Sequence, residues 1–238
     1  LFNYILIPIV LALTVVLFLW AGKTVLTNSW PSFTRLASIA TTFTIGGILL
    51  HIMVTEHTVG LAKFYKRAYP ITALVILAFE AWALFVQLNK WGLKTEEYMF
   101  GLPWIFALVA SVLLLAIKEK AHVPIVVAFC ALAIVAVFPF VDYRSMPVRA
   151  QSSRLERLLV DQGVLVDGKL QPVTKAPSNA VRESVTVAVD FLANAHDVKL
   201  PSWFNKDLSG DAEFKKVLGF EKKWPVSQDA VSDGGGLN

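Results

Sequence analysis

The run Pro70–Leu88, PITALVILAFEAWALFVQL, restricts this chain more than any other stretch. About twenty apolar residues suffice to cross a hydrocarbon core about 30 Å thick, and this run has that length. Yet it carries a carboxyl group, Glu80, near its middle. Two further apolar runs precede it and two follow. The expectation is a mainly α protein with a five-helix transmembrane bundle over residues 1–141, its helices at about 2–21, 33–55, 70–88, 98–117 and 123–141. A hydrophobic content of 55% and a mean hydropathy of +0.58 exceed what an ordinary soluble domain carries.

The charges are segregated. Residues 1–141 hold nine Lys and Arg against five Glu and no Asp, whereas residues 142–238 hold 13 basic and 13 acidic residues. The surplus of positive charge therefore lies in the short connections between apolar runs. That is the pattern of topology determinants in a membrane, and it argues against a nucleic-acid face, which needs cations clustered on one folded surface. With five crossings, Lys63, Lys66, Arg67, Lys118 and Lys120 share one side, and Lys23, Arg35, Lys90 and Lys94 share the other. The larger group is expected in the cytoplasm and at lipid headgroups, with the tail outside it. Trp20 and Trp30 bracket the first connection as interfacial tryptophans do. Thr44 with Gly46-Gly47, and Ala107, Ala110 and Ser111, mark faces on which helices approach closely.

Beyond residue 141 the pattern changes to that of a small α/β domain, helix–hairpin–helix, at the membrane surface. Ser152–Gln162 reads as an amphipathic helix stopped by Gly163. Val164–Leu170 reads as a β-hairpin, because Asp167-Gly168 supplies the positive φ values of a tight turn. A second helix follows Pro177-Ser178-Asn179, burying Val181, Val185, Ala188 and Leu192. Trp203-Phe204 is expected to anchor a loop, Ser209 or Asp211 to cap a short helix ending near Gly219, and Glu221 to begin a strand. The single cysteine, Cys130, rules out an intrachain disulfide and reads as inert packing within an apolar helix. The opening at Leu1 and the terminal Gly234–Asn238 lead to the expectation of a fragment.

Glu80 is the sharpest chemical signal. An ionised carboxylate at the bilayer centre costs about 2.5–3.5 kcal/mol on insertion scales, so such groups face the bundle interior. They mark proton or ion paths, or they hydrogen-bond a neighbouring helix. His51 is the candidate partner, though it stands nearer a loop than Glu80 does. His51, Glu56 and His57 miss the inverted zinc-protease motif His-x-x-Glu-His, since Glu56-His57 would require a histidine at position 53 and Met53 stands there. No Gly-x-Ser-x-Gly and no phosphate-binding glycine loop is present. His196-Asp197 is explained by a helix end and its loop. These readings leave no catalytic, cofactor or metal residues to name.

Several motifs carry a resemblance: Trp30-Pro31, Phe64–Pro70 (FYKRAYP), Trp91–Tyr98 (WGLKTEEY), and Gln151–Leu159 (QSSRLERLL) running into Gly163–Leu170 (GVLVDGKL). Together they resemble the bacterial domain-of-unknown-function family 4153 over most of residues 30–170. The resemblance implies a multi-pass bacterial inner-membrane protein with further helices upstream, and no activity to inherit. The family often carries arginines where this chain has Gln87 and Glu97, so a role for those arginines does not carry over.

The resulting expectation is a non-enzymatic inner-membrane protein that senses, scaffolds or binds an envelope protein through residues 142–238, with the lipid bilayer as its other partner. The alternative is a transporter or proton-coupled protein using Glu80. A membrane enzyme acting on lipid or cell-wall precursors ranks third, because no polar cluster can be assembled at one interface.

Overall fold

The computed structural model describes residues 2–27, 33–54, 60–139 and 141–225, and side chains within these except at 2, 3, 34 and 35. The chain divides into two compact units, Leu1–Val86 with Met99–Val137, and Gln87–Tyr98 with Phe138–Asn238. The connection around residues 87–98 thus belongs with the tail, a division that differs from a single cut at residue 141.

The first unit is a helical bundle. A π turn at Phe2–Leu6 leads into α1 (Ile7–Thr27), and Pro8, which has no backbone N–H to donate, stands just inside that helix. Then come α2 (Phe33–Met53), α3 (Gly60–Trp91), α4 (Thr95–Ile117), a 3-10 turn at Lys118–Ala121, and α5 (His122–Val137).

Four helical stretches among the described residues are long and apolar enough to cross a membrane, Tyr4–Thr27, Leu36–Met53, Gly60–Trp91 and Thr95–Val137, not the five expected. The fourth stretch joins α4 and α5 directly through the 3-10 turn. Lys118 takes a left-handed φ of 51° at the junction, and the Phe106 and Phe129 rings meet edge to face, 5.6 Å between centroids. Residues that far apart on one straight helix would be separated by roughly 34 Å, so the chain folds back on itself here. The expected fifth span, 123–141, is shortened to the 16 residues of α5, about 24 Å, because the helix ends before Phe138-Pro139.

Two other boundaries also move. Helix α3 begins at Gly60 rather than Pro70, so Lys63, Lys66 and Arg67 lie in its first turns instead of a loop. Helix α1 continues to Thr27 and includes Lys23. Trp30, Pro31, Glu56 and His57 lie outside the described residues.

Large apolar side chains such as Val15, Leu19, Val75 and Phe129 cover the outside of the bundle. The inside holds Leu36, Ile48, Tyr65, Tyr69 and Leu77 among small residues, and the stripe expected on α4, Ala107, Ala110 and Ser111, is buried. Thr14, Thr24 and Thr44 satisfy their hydroxyls on the carbonyls four residues back, at 2.7, 2.9 and 2.8 Å. A hydroxyl inside an apolar bundle requires such a local partner. Cys130 is exposed on α5 rather than packed.

In the second unit, α6 (Ser145–Asp161) starts seven residues earlier than its apolar spacing suggested and buries Val148, Gln151, Ser152, Leu155 and Leu159. The hairpin β1 (Leu165–Val166) and β2 (Lys169–Leu170) pairs Leu165 with Leu170 and Val166 with Lys169. Its turn has φ of 50° at Asp167 and 73° at Gly168, the mirror-image geometry that Asp-Gly adopts at low cost. Helix α7 (Asn179–Ala193) begins where the Ser178 side chain accepts from the Val181 N–H at 3.4 Å. A 3-10 turn (Lys206–Ser209) precedes α8 (Asp211–Leu218). Gly210, not Ser209 or Asp211, is the residue ahead of α8, and no side chain caps it. Residues 221–225 form no strand. Leu155, Leu192, Leu208, Phe214 and Leu218 close one apolar core among α6, α7 and α8.

Candidate functional site

The polar centre of the bundle forms where α2 meets the first half of α3. Pro70 sits inside α3 and has no N–H to give the carbonyl of Lys66, four residues earlier. His51 Nε2 lies 3.1 Å from that carbonyl. A carbonyl oxygen only accepts, so Nε2 is the protonated nitrogen in this contact. His51 is buried, and its ring lies tilted against those of Tyr65 and Tyr69, with centroids 6.3 and 6.4 Å away. The Tyr65 hydroxyl donates to the Gly47 carbonyl at 2.8 Å, and the Tyr69 hydroxyl to the Thr44 carbonyl at 2.5 Å. These contacts fasten α2 to α3 through groups that would otherwise be left without partners in a water-poor interior.

Lys66 Nζ reaches Glu119 at 3.4 Å. That pair joins the first turns of α3 to the turn between α4 and α5. Lys63, Arg67, Lys118 and Lys120 are exposed beside it, so the five cations selected from the sequence stand at one end of the bundle. The Glu119 side chain is 64% exposed, so the ion pair itself contributes little stability.

Glu80 is elsewhere. It lies on the buried face of α3 with Ile76, Leu77 and Ala83, is 1% exposed, and its Oε1 has no hydrogen-bond partner among the described residues. The fourteen residue steps from Lys66 to Glu80 amount to roughly 21 Å of helix. The structure therefore does not bring Glu80 and His51 together. Two apolar cavities of the bundle, of about 380 and 450 Å3, are lined by other residues.

The second unit is organised by α6 against the α3–α4 connection. Gln151 Nε2 donates to the carbonyls of Trp91 and Leu93 at 2.8 and 3.1 Å, and Arg154 Nη2 to that of Lys90 at 2.6 Å. Burial and the nearby Arg157 lower the Arg154 pKa. Gly92 turns the chain at φ 75°, and a Cβ there would stand 2.8 Å from Arg154 Cδ and 2.9 Å from Gln151 Nε2. Gln87 Nε2 donates to Glu97 Oε1 at 2.9 Å, and the Lys94 N–H to Glu97 Oε2 at 3.0 Å. The second contact is the reach-back half of a capping box at the start of α4. The Tyr98 hydroxyl donates to the Val141 carbonyl at 2.5 Å. Gln87 and Glu97 are thus hydrogen-bonded to each other.

A cleft of about 720 Å3 opens in this unit beside the end of α7. Its wall carries Lys94, Tyr143, Arg144, Asp190, Asp197 and Trp224. Arg144 Nε donates to the Tyr143 hydroxyl at 2.8 Å, and Arg144 Nη1 lies 3.9 Å from Asp197 Oδ2. Both contacts raise the Arg144 pKa. Asp197 holds a left-handed φ of 58° in the loop after α7, a conformation Asp tolerates better than most residues. His196 also lines this cleft. Sequence reasoning placed His196-Asp197 at a helix end, as found, but did not gather Arg144 and Trp224 around them. Their separation along the chain carried no signal of it. Gln151 and Arg154 did lie inside a motif singled out as structural, as did Tyr65 and Tyr69.

No family model, no curated protein and no solved structure matches this chain.

Proposed function

We propose that this chain is a multi-pass protein of the bacterial inner membrane whose bundle carries a folded membrane-proximal domain for sensing or scaffolding in the envelope, without catalysis. One observation carries the reading. Gln151 and Arg154 hydrogen-bond the carbonyls of Lys90, Trp91 and Leu93, so the tail is built around the connection between α3 and α4. A partner bound to such a domain acts directly on helix ends. The gathering of Lys63, Lys66, Arg67, Lys118 and Lys120 at one end supports a cytoplasmic position for that end and an extracytoplasmic tail.

The test is a photo-crosslinking residue at Val160 or Val166, exposed apolar positions of the tail, in the full chain in cells. A reproducible protein adduct at one of these positions is expected. None at either, with normal membrane levels, overturns the reading. Alkaline phosphatase fused after Leu170 should be active; activity of β-galactosidase there instead reverses the orientation.

A second reading is favoured by Glu80 alone, as the proton-carrying group of a transporter. A carboxyl buried in a membrane bundle, with one oxygen lacking a partner, is a functional candidate by default. Proteoliposomes with an internal pH dye test it: Glu80→Gln should abolish proton movement at unchanged expression, and wild-type behaviour of Glu80→Leu removes the idea.

A further inference from the structure

We infer that the cleft beside the end of α7 binds a phosphoethanolamine group, a phosphate joined to a primary ammonium, offered by a lipid headgroup or by a free compound. The inference rests on the sensing reading above and supplies its ligand.

The wall of the cleft pairs two cations with two carboxylates. Lys94 and Arg144 stand on one set of elements, the start of α4 and the approach to α6; Asp190 and Asp197 stand on another, α7 and the loop after it. The Arg144–Asp197 contact is long, 3.9 Å, and the two side chains are 54% and 84% exposed. An exposed pair of this kind contributes about 0–1 kcal/mol, so a ligand that offers each partner a better counter-charge displaces it at little cost. Arg144 is already aimed, since its Nε is held by the Tyr143 hydroxyl while its Nη1 stands 3.9 Å from the Asp197 carboxylate, with Asp142 a further neighbouring charge. A planar guanidinium fork recognises phosphate with two parallel hydrogen bonds, and Lys94 adds a point charge. Asp190 and Asp197 suit the ammonium.

The rest of the lining supports a small amphipathic occupant. Trp224 is 53% exposed on the wall, and a large aromatic held in the open is suited to cover a methylene chain or the face of a cation. The volume falls in the range of small-molecule sites. A singly charged anion leaves Asp190 and Asp197 without a counter-charge, and a simple amine leaves Lys94 and Arg144 without one. The position in the chain favours a headgroup as the source. Lys94 immediately precedes the apolar stretch Thr95–Val137, and Tyr143 and Arg144 follow its end by six and seven residues.

The experiment titrates phosphoethanolamine into the full chain in nanodiscs of phosphatidylglycerol, followed by calorimetry. Saturable one-site binding is expected, with inorganic phosphate and ethanolamine each at least tenfold weaker. Arg144→Ala and Asp190→Asn should each weaken binding at least tenfold, while Lys216→Ala, on the exposed side of α8, binds as wild type. Thermal unfolding of each variant separates lost binding from lost fold, and Lys94→Gln serves where Arg144→Ala unfolds. Discs containing phosphatidylethanolamine distinguish the sources: a headgroup already in the cleft weakens the soluble probe at least tenfold, and an unchanged affinity assigns the free compound. Absence of saturable binding, equal affinity for phosphate alone, or variants that bind normally overturns the inference. A crosslinked partner at Val160 or Val166 that persists without phosphoethanolamine binding would end this inference and leave the sensing reading in place.

Discussion

His51 Nε2 donates to the Lys66 carbonyl at 3.1 Å, and that carbonyl is the one Pro70 leaves without its helical partner. The histidine therefore completes a proline-containing helix from its neighbour, and its buried Nε2 gains a partner by doing so. Replacing His51 by Ala exposes the orphaned carbonyl to an apolar interior, at an expected cost of about 1–3 kcal/mol. In a Pro70→Ala background, residue 70 supplies its own N–H, and His51→Ala should cost less. Thermal unfolding of the four proteins in detergent gives the coupling; equal costs in both backgrounds reject the account.

Gly47 and Gly46 are adjacent but not equivalent. A Cβ at Gly47 would overlap the Tyr69 ring, whereas one at Gly46 meets nothing within 4 Å. Gly47→Ala should destabilise the bundle by about 1–3 kcal/mol, as overpacking does, and Gly46→Ala should be close to neutral. Paired melting curves decide it, and an equal response at both sites would show that close approach of Tyr69 is not the cause.

Gln151 bonds two carbonyls of one turn, those of Trp91 and Leu93. Gln151→Leu keeps the volume roughly and removes both donations, leaving two carbonyls to find other partners. The expected loss is about 1–3 kcal/mol for the second unit, together with faster protease cleavage at Lys90 or Lys94. Limited trypsinolysis in nanodiscs measures it; unaltered cleavage would mean the connection is held by other contacts.

Asp142 links pH to the stability of the same unit. Its Oδ1 accepts from the Ser145 N–H at 2.6 Å at the start of α6, and its hydrogen bonds to Ser145 lower the carboxyl pKa. A pKa lower in the folded state than in the unfolded one stabilises the fold above the unfolded value, about 4, and that contribution disappears as pH falls through the folded value. Melting temperature should therefore decline below about pH 4 more steeply for wild type than for Asp142→Asn. Parallel slopes would show that other acids dominate.

Apolar runs, interfacial charges and an Asp-Gly turn are local properties, and the chain could be read for them residue by residue. The long apolar helices, the amphipathic faces of α6 and α7, and the β1–β2 hairpin were legible on those grounds. Boundaries were less so, because Pro70 reads as a helix start when only its missing N–H is considered. It stands in mid-helix because His51, nineteen residues earlier in another helix, serves the freed carbonyl. The expected fifth span is not a separate stretch for a related reason: α4 and α5 are joined by the short turn Lys118–Ala121, where the chain folds back so that Phe106 meets Phe129, and α5 stops at Val137. The site depended most on tertiary structure. Lys94, Arg144, Asp190 and Trp224 are scattered along the sequence and acquire a common purpose only when the α3–α4 connection folds with the tail. Sequence alone determined which segments avoid water, since that follows from each side chain's own transfer free energy. Which polar groups meet was decided by the fold, because a hydrogen bond or ion pair exists only at a distance that the rest of the chain must enforce.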